Sequence, residues 1–372
     1  MSFPGIHAQK RDDTSFRLRK DHGHHRESSP LENLPIDMIK DFPIADSLHL
    51  LDIGIMKRFL EGWIHGKFNY NTKWSGKQIR EISEFLTEPI EIHRKVRTLD
   101  TLKLWKATEF RTFFLYLGIV ILRDYLQNDI YQHFLLLFCS ITIYTTKYYS
   151  KFFCVAEKMI IDYIELYCNL YGRDTVTSNI HNLSHIIEDV SNFEDLQNIS
   201  SYPFENHLRM IKNLVRTGNR PLAQVAKRLL ESSKTVKDQD QNGTFPQLLH
   251  QFGESHNENN CVGMYTTVLI NKEFCLKNDE KNQWFLTTDN KIVAMINATY
   301  RNKEIMIYGC NKFHGTNFFN YPIASSTLHI YSASILNNME KKLYSLQDIK
   351  CKLFKIHYRN EIIFLPLLHT LQ

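Results

Sequence analysis

Several signatures that would classify the 372-residue chain quickly are missing. It has no CxxC pair. Its seven cysteines (Cys139, Cys154, Cys168, Cys261, Cys275, Cys310 and Cys351) are dispersed and odd in number, which points to reduced thiols, as in a cytosolic or nuclear protein. A long hydrophobic run is also absent. "FFLYLGIVIL" (113–122) and "FLLLFCSITIY" (134–144) are separated by "RDYLQNDIYQH". Both fall short of the roughly 20 apolar residues that a membrane span needs, so the expectation is buried helices and no membrane. The N-terminal "MSFPGIHAQKRDDTSFRLRK" contains no apolar stretch and cannot be a signal peptide. Nor is there a large charge excess: 45 basic against 40 acidic residues leave a net +5.

The chain does have enough apolar substance to fold. Hydrophobic residues make up 43% and charged residues 23%, and the length suits two domains with cores of their own. The basic residues crowd into 8–26, 57–80, 94–123 and 209–228. Such stripes suit phosphate backbones, and they also suit solvated helix faces.

Residues 1–38 are polar and loop-rich, with His22, His24 and His25 in a cluster that reads as a solvated loop rather than a metal site. "IKDFPIAD" is a short apolar run, expected as a strand ending in Asp46. "SLHLLDIGIMKRFLEGW" then has the apolar spacing of a helix. That order would put Asp46 at the carboxyl edge of a sheet, where open α/β sheets bind ligands. Helices are expected over roughly 76–87, 100–127, 129–149, 151–171, 178–192 and 204–232, with breaks at Gly172, Pro203 and "TGNRP". Residues 232–260 read as a flexible linker. From 261 the hydrophobic period switches to two, which predicts a separate β-rich domain over 261–372, a small barrel or sandwich.

One stretch concentrates the chemistry. In "SSYPFENHLRMIKNLVRTGN" (200–219), Glu205, Arg209, Lys212 and Arg216 recur at steps of four, three and four on one helical face. An acid heading a row of cations reads either as an ordinary i,i+4 pair at a helix start or as a metal-binding carboxylate beside a phosphate-binding face. The second reading needs a partner acid from a distant segment, and Asp46 is the candidate. His181 and His185 form an HxxxH pair whose expected role is capping and packing, with metal binding as the alternative. Trp63, Trp74 and Trp105 are expected as core or interface anchors.

"IADSLHLLDIGIMKRFLEGW", "LWKATEFRTFFLYLGIVIL", "NIHNLSHIIEDV" and "SYPFENHLRMIKNLVRTGNRPLAQV" resemble the second half of eukaryotic cut-and-paste DNA transposases of the CACTA-related group found in animal genomes. The closing "NNCVGM…GCNKFHGTNFFNYPIASSTLHIY…FLPLLHT" resembles their β-rich tail. The resemblance implies an α+β protein: an incomplete ribonuclease H-like core over 39–231 with a large all-helical insertion at about 60–200, then the small all-β domain. It also implies Mg²⁺- or Mn²⁺-dependent DNA strand cleavage and transfer in the ancestor. Asp46 would be the second acid of an Asp/Asp/Glu triad and Glu205 the third, both serving as catalytic and metal-binding residues. His49, Lys57, Arg58, Arg209, Lys212, Arg216 and Arg220 would contact DNA.

The first acid of the triad has no counterpart here and is expected upstream of Met1. Asp12, Asp13 and Asp37 lie in polar context and make poor substitutes. Catalytic silence is therefore expected, with weak DNA-backbone binding, a homodimer or a transposase as protein partner, and a nuclear location. A non-catalytic DNA-binding or assembly module is the alternative.

Overall fold

A computed structural model describes residues 10–25, 27–68, 72–86, 92, 94–235, 244–257 and 260–372. The first part of the chain is helical and the last is an antiparallel β-sheet domain. Among the described residues before 244 there is no β-strand.

The expected strand over 39–46 does not form. The backbone there turns and then runs extended without a strand partner. Its amides at Ile44 and Ala45 instead donate to the Asp189 carboxylate, at 2.8 Å each. A single side chain thus supplies the acceptors that a neighbouring strand would have provided. Asp46 consequently sits at a helix start rather than at a sheet edge.

From Asp46 the chain enters a π-helix, Ser47–Met56, which continues directly into an α-helix, Lys57–His65. Gly54 allows the wide turn to lie close to its neighbours. A Cβ there would collide with the His49 carbonyl and come within 2.5 Å of Asn179 Nδ2. The α-helices, in chain order, are α1 (Asp13–Arg17), α2 (Lys57–His65), α3 (Gly76–Glu84), α4 (Ala107–Thr112), α5 (Gly118–Tyr125), α6 (Asn128–Tyr144), α7 (Phe153–Tyr171), α8 (Ser178–Asn182), α9 (Ile186–Phe193), α10 (Tyr202–Leu214) and α11 (Pro221–Thr235). The two apolar patches are the centre of this unit. Nearly every residue of α6 is buried, and so are Phe113–Leu122 just before it. A helix apolar on all sides belongs inside a helical layer, and among the described residues no helix is long and apolar enough to cross a membrane. Trp63, Trp74 and Trp105 are all buried in this core, with Trp63 stacked on Phe59 at 5.1 Å between centroids.

Among the described residues nine strands follow: β1 (Gln247–Asn257), β2 (Asn260–Asn271), β3 (Phe274–Lys277), β4 (Trp284–Thr287), β5 (Ile292–Arg301), β6 (Glu304–Asn317), β7 (Tyr331–Ser345), β8 (Ile349–Tyr358) and β9 (Glu361–Pro366). The pairings run β5–β4–β8–β9–β7–β6 and return to β5, so six antiparallel strands close into a barrel. Closure leaves no free edge around the ring. β1, β2 and β3 extend the sheet from β5.

All six ring strands contribute to the interior, through Trp284 and Leu286, Ile292 and Ala294, Phe313, Tyr331, Cys351 and Leu353, and Phe364. The alternate residues point outward and are also covered. Val293, Met295, Ile305 and Ile307 pack under β2 and β3, while Phe354, Ile356, Ile363 and Leu365 join the core of the helical unit.

The barrel is therefore not a separate body at the end of a linker. At the junction, Arg123 pairs with Glu361 at 3.0 Å, and the Tyr358 hydroxyl donates to Asp124 at 3.0 Å. Of the expected linker 232–260, residues 236–243 and 258–259 lie outside the described residues. On either side of the first gap α11 runs to Thr235 and β1 starts at Gln247. β1 is an edge strand, on which His250 and Gln251 are exposed, and polar residues on such an edge resemble a loop in sequence.

Candidate functional site

Asp46 terminates the extended segment and caps the π-helix. Its carboxylate accepts from the amides of Leu48 and His49, each at 3.2 Å, and bonds the His49 ring at Nδ1. The fourth donor comes from far along the chain: the Ser201 amide, at 2.8 Å. Ser201 is the residue before α10, and its carbonyl accepts the Glu205 amide at 3.0 Å. Two acids separated by most of the helical unit are thus attached to one helix start. The Asp46 side chain is half-buried. Burial pushes its carboxyl up, but the Ser201 amide, the His49 ring and the helix amides outweigh that and hold it below the usual value.

A second acid, which sequence reasoning missed, lies behind the first. Asp52 is buried on the same π-helix and accepts from the Tyr202 hydroxyl at 2.7 Å. Burial raises its carboxyl to about 7, against the opposing influence of the Arg111 guanidinium and of Tyr202, while Asp46 adds to the rise. Burial also raises the Tyr202 hydroxyl, and Asp52 reinforces the effect. The Arg111 guanidinium lies 5.8 Å from the centroid of the Tyr202 ring. A small cavity borders this group, lined by Ser47, Asp52, Arg111, Phe114 and Thr145 among others. The signal in the sequence was an acid between Leu51 and Ile53 in an otherwise apolar helix.

The remaining candidates are dispersed. Glu205 projects from the first turn of α10, is exposed, and its side chain forms no hydrogen bond or ion pair among the described residues. Arg209 and Lys212 follow it on the helix and are exposed. Arg216 does not continue their row, which is a correction to the expected four-residue face. The helix stops at Leu214, and Val215 is extended with φ −86° and ψ 115°. "TGN" prevents another turn, and Gln224 gathers the loop by bonding the backbone of Arg216, Thr217 and Asn219. Arg216 and Arg220 therefore flank a turn between α10 and α11, still exposed. Lys57 and Arg58 are already engaged: Lys57 lies 3.9 Å from Glu61, and Arg58 stacks 3.9 Å over the Phe68 ring.

The other acids and histidines singled out in the sequence make local contacts. Asp12 caps α1, Asp13 accepts the Met38 amide, and Asp37 accepts the amides of Ile39 and Lys40. The His25 ring packs against Phe16 and bonds Arg19. The rings of His181 and His185 lie 5.4 Å apart, with His185 beside Glu188 at 3.5 Å.

A pair of divalent ions bridged by carboxylates needs several acids with free lone pairs converging on one point. The residues present do not fit that requirement. The oxygens of Asp46 are already engaged by four donors, and Asp52 is held behind Tyr202. Among the described residues no three His, Cys, Asp or Glu side chains are grouped to hold a metal ion.

Residues 249–367, which span the barrel almost end to end, match a family described as "Domain of unknown function (DUF8592)". No curated protein and no solved structure matches the chain.

Proposed function

We propose that the chain is a transposase-derived DNA-backbone-binding protein that does not itself cleave DNA. In this reading the π-helix, α2, α10 and α11 are helical parts of a ribonuclease H-like core, and α3 to α9 belong to its insertion. The single observation that carries the proposal is the hydrogen bond between Asp46 and Ser201. It joins the two motifs that resemble the transposase acids, across the intervening helices, at the head of a basic helix. Arg209, Lys212, Arg216 and Arg220 make no ion pair among the described residues and are exposed, so phosphates can satisfy them. The nucleus is the location such a partner implies.

A second reading, a protein-assembly module, is favoured by a different observation. Phe204 and Leu208 on α10 and Leu222 on α11 are exposed, Leu222 by 85%, and large apolar side chains in solvent on adjoining helices suit a contact surface.

Incubation of the purified chain with supercoiled plasmid and Mg²⁺ or Mn²⁺ tests catalytic silence. The expected result is retention of the supercoiled form. Nicking that disappears in Glu205→Gln would show that an acid outside this set completes a working centre.

A further inference from the structure

We infer that Asp46 and Asp52 form a two-point clasp that orients the basic helical hairpin α10–α11, acting as positioning residues rather than as ligands. The two contacts fall on consecutive residues of one helix start. The Asp46 carboxylate accepts the Ser201 amide at 2.8 Å, and the Asp52 carboxylate accepts the Tyr202 hydroxyl at 2.7 Å. Both acids come from the same rigid segment, Asp46 capping the π-helix and Asp52 one turn further along it. Two anchors on one segment fix a direction as well as a position, which one hydrogen bond cannot do.

Among the described residues, α10 has little else to anchor it. α10 contains no buried residue, and its apolar residues Phe204 and Leu208 are 72% and 58% exposed. A helix usually derives its orientation from a buried face, and this one has none. Its N-terminal turn is the exception: Tyr202 is half-buried, its hydroxyl bonds Asp52, and the Arg111 guanidinium lies over its ring. The groups facing Asp52 are Tyr202 from α10, Arg111 from α4 and Asp46 from its own segment. The clasp therefore sets where the cations of the hairpin point. That last consequence rests on the proposed DNA reading, whereas the clasp itself does not.

Amide hydrogen exchange on the full-length chain tests it, with segments 203–214 and 221–232 compared against α6 and β8. Tyr202→Phe removes one donor. Ser201→Pro removes the other without altering an acid, at a φ of −76° that proline accepts. Each is expected to speed exchange in 203–214 about tenfold or more, a loss typical of a hydrogen bond to a buried or charged partner. Exchange in α6 and β8 should stay unchanged, and the double variant should exceed either single one. Asp52→Asn, which still accepts from Tyr202, should retain most of the protection. Unchanged exchange in 203–214 in both Tyr202→Phe and Ser201→Pro would overturn the clasp. Global acceleration in α6 and β8 as well would also overturn it, by showing a contribution to the whole fold rather than to the hairpin. A parallel titration with a 30-base-pair duplex separates the two proposals. Altered exchange in a chain that never binds the duplex leaves the clasp standing and removes the DNA reading.

Discussion

Raising the salt from about 50 to about 200 mM is expected to weaken binding of duplex DNA to this chain about 100-fold. Each cation that neutralises a phosphate releases condensed counterions, with a slope of about −0.9 per contact in a log–log plot of affinity against salt. Arg209, Lys212, Arg216 and Arg220 are exposed and without ion pairs among the described residues, so about four contacts give a slope near −3.6. Lys57 and Arg58 are not counted, because Glu61 and Phe68 already occupy them. The affinity should also be indifferent to base sequence, since contacts to phosphates carry no sequence information directly. Fluorescence anisotropy over a salt series measures the slope directly. A slope near zero would mean that the basic hairpin is only a solvated surface.

The second large effect concerns Asp52. Its carboxyl is raised to about 7 in the folded chain, chiefly by burial, and in the unfolded chain it titrates near 4. The folded state therefore binds the extra proton between these values. The contribution of Asp52 to stability is full below about pH 4, declines as pH rises through that window, and is lost above about 7. A shift of roughly three units corresponds to at most about 4 kcal/mol. Asp52→Asn keeps the shape and the acceptor for Tyr202 but cannot ionise. Its denaturant midpoint should exceed that of the natural chain at pH 8, and the difference should shrink as pH falls and vanish only below about pH 4. Parallel pH profiles for the two chains would show that Asp52 is ionised and well compensated in the fold.

Much of this architecture was legible in the sequence, for identifiable reasons. α6 announces itself because a long apolar run without Gly or Pro has few alternatives to a buried helix, and α7 because Ala156, Met159, Ile160, Tyr163, Ile164 and Tyr167 recur at helical spacing. β5, β6, β8 and β9 show the period of two, and the turns at Asn302 and Arg359 adopt the positive φ expected where a hairpin reverses. β4 was missed because all four of its residues are buried, so no alternation was visible. β1 was missed for the opposite reason, as a polar edge strand. The expected strand over 39–46 failed because local apolarity does not reveal a partner. Here the partner is the single carboxylate of Asp189.

The candidate site was legible only in outline. Asp46 and Glu205 stand out in motifs, and the helix start they share could be anticipated from the resemblance. What escaped were groups whose roles exist only in three dimensions. Asp52 is one acid in an apolar helix, Tyr202 lies next to a proline, and Arg111 belongs to a broad basic stretch. Nothing in their spacing brings them together. The end of α10 at Leu214, which removes Arg216 from the row of cations, depends on a glutamine eight residues after Arg216 that holds the following turn.

The most direct measurement compares duplex binding at low salt by the natural chain and by a variant carrying Arg209→Glu, Lys212→Glu, Arg216→Glu and Arg220→Glu. All four positions are exposed and make no ion pair among the described residues, so the variant should fold normally. The account predicts salt-sensitive binding by the natural chain and at least a hundredfold loss in the variant. Equal binding by the two chains, or no binding by either at low salt, would contradict it.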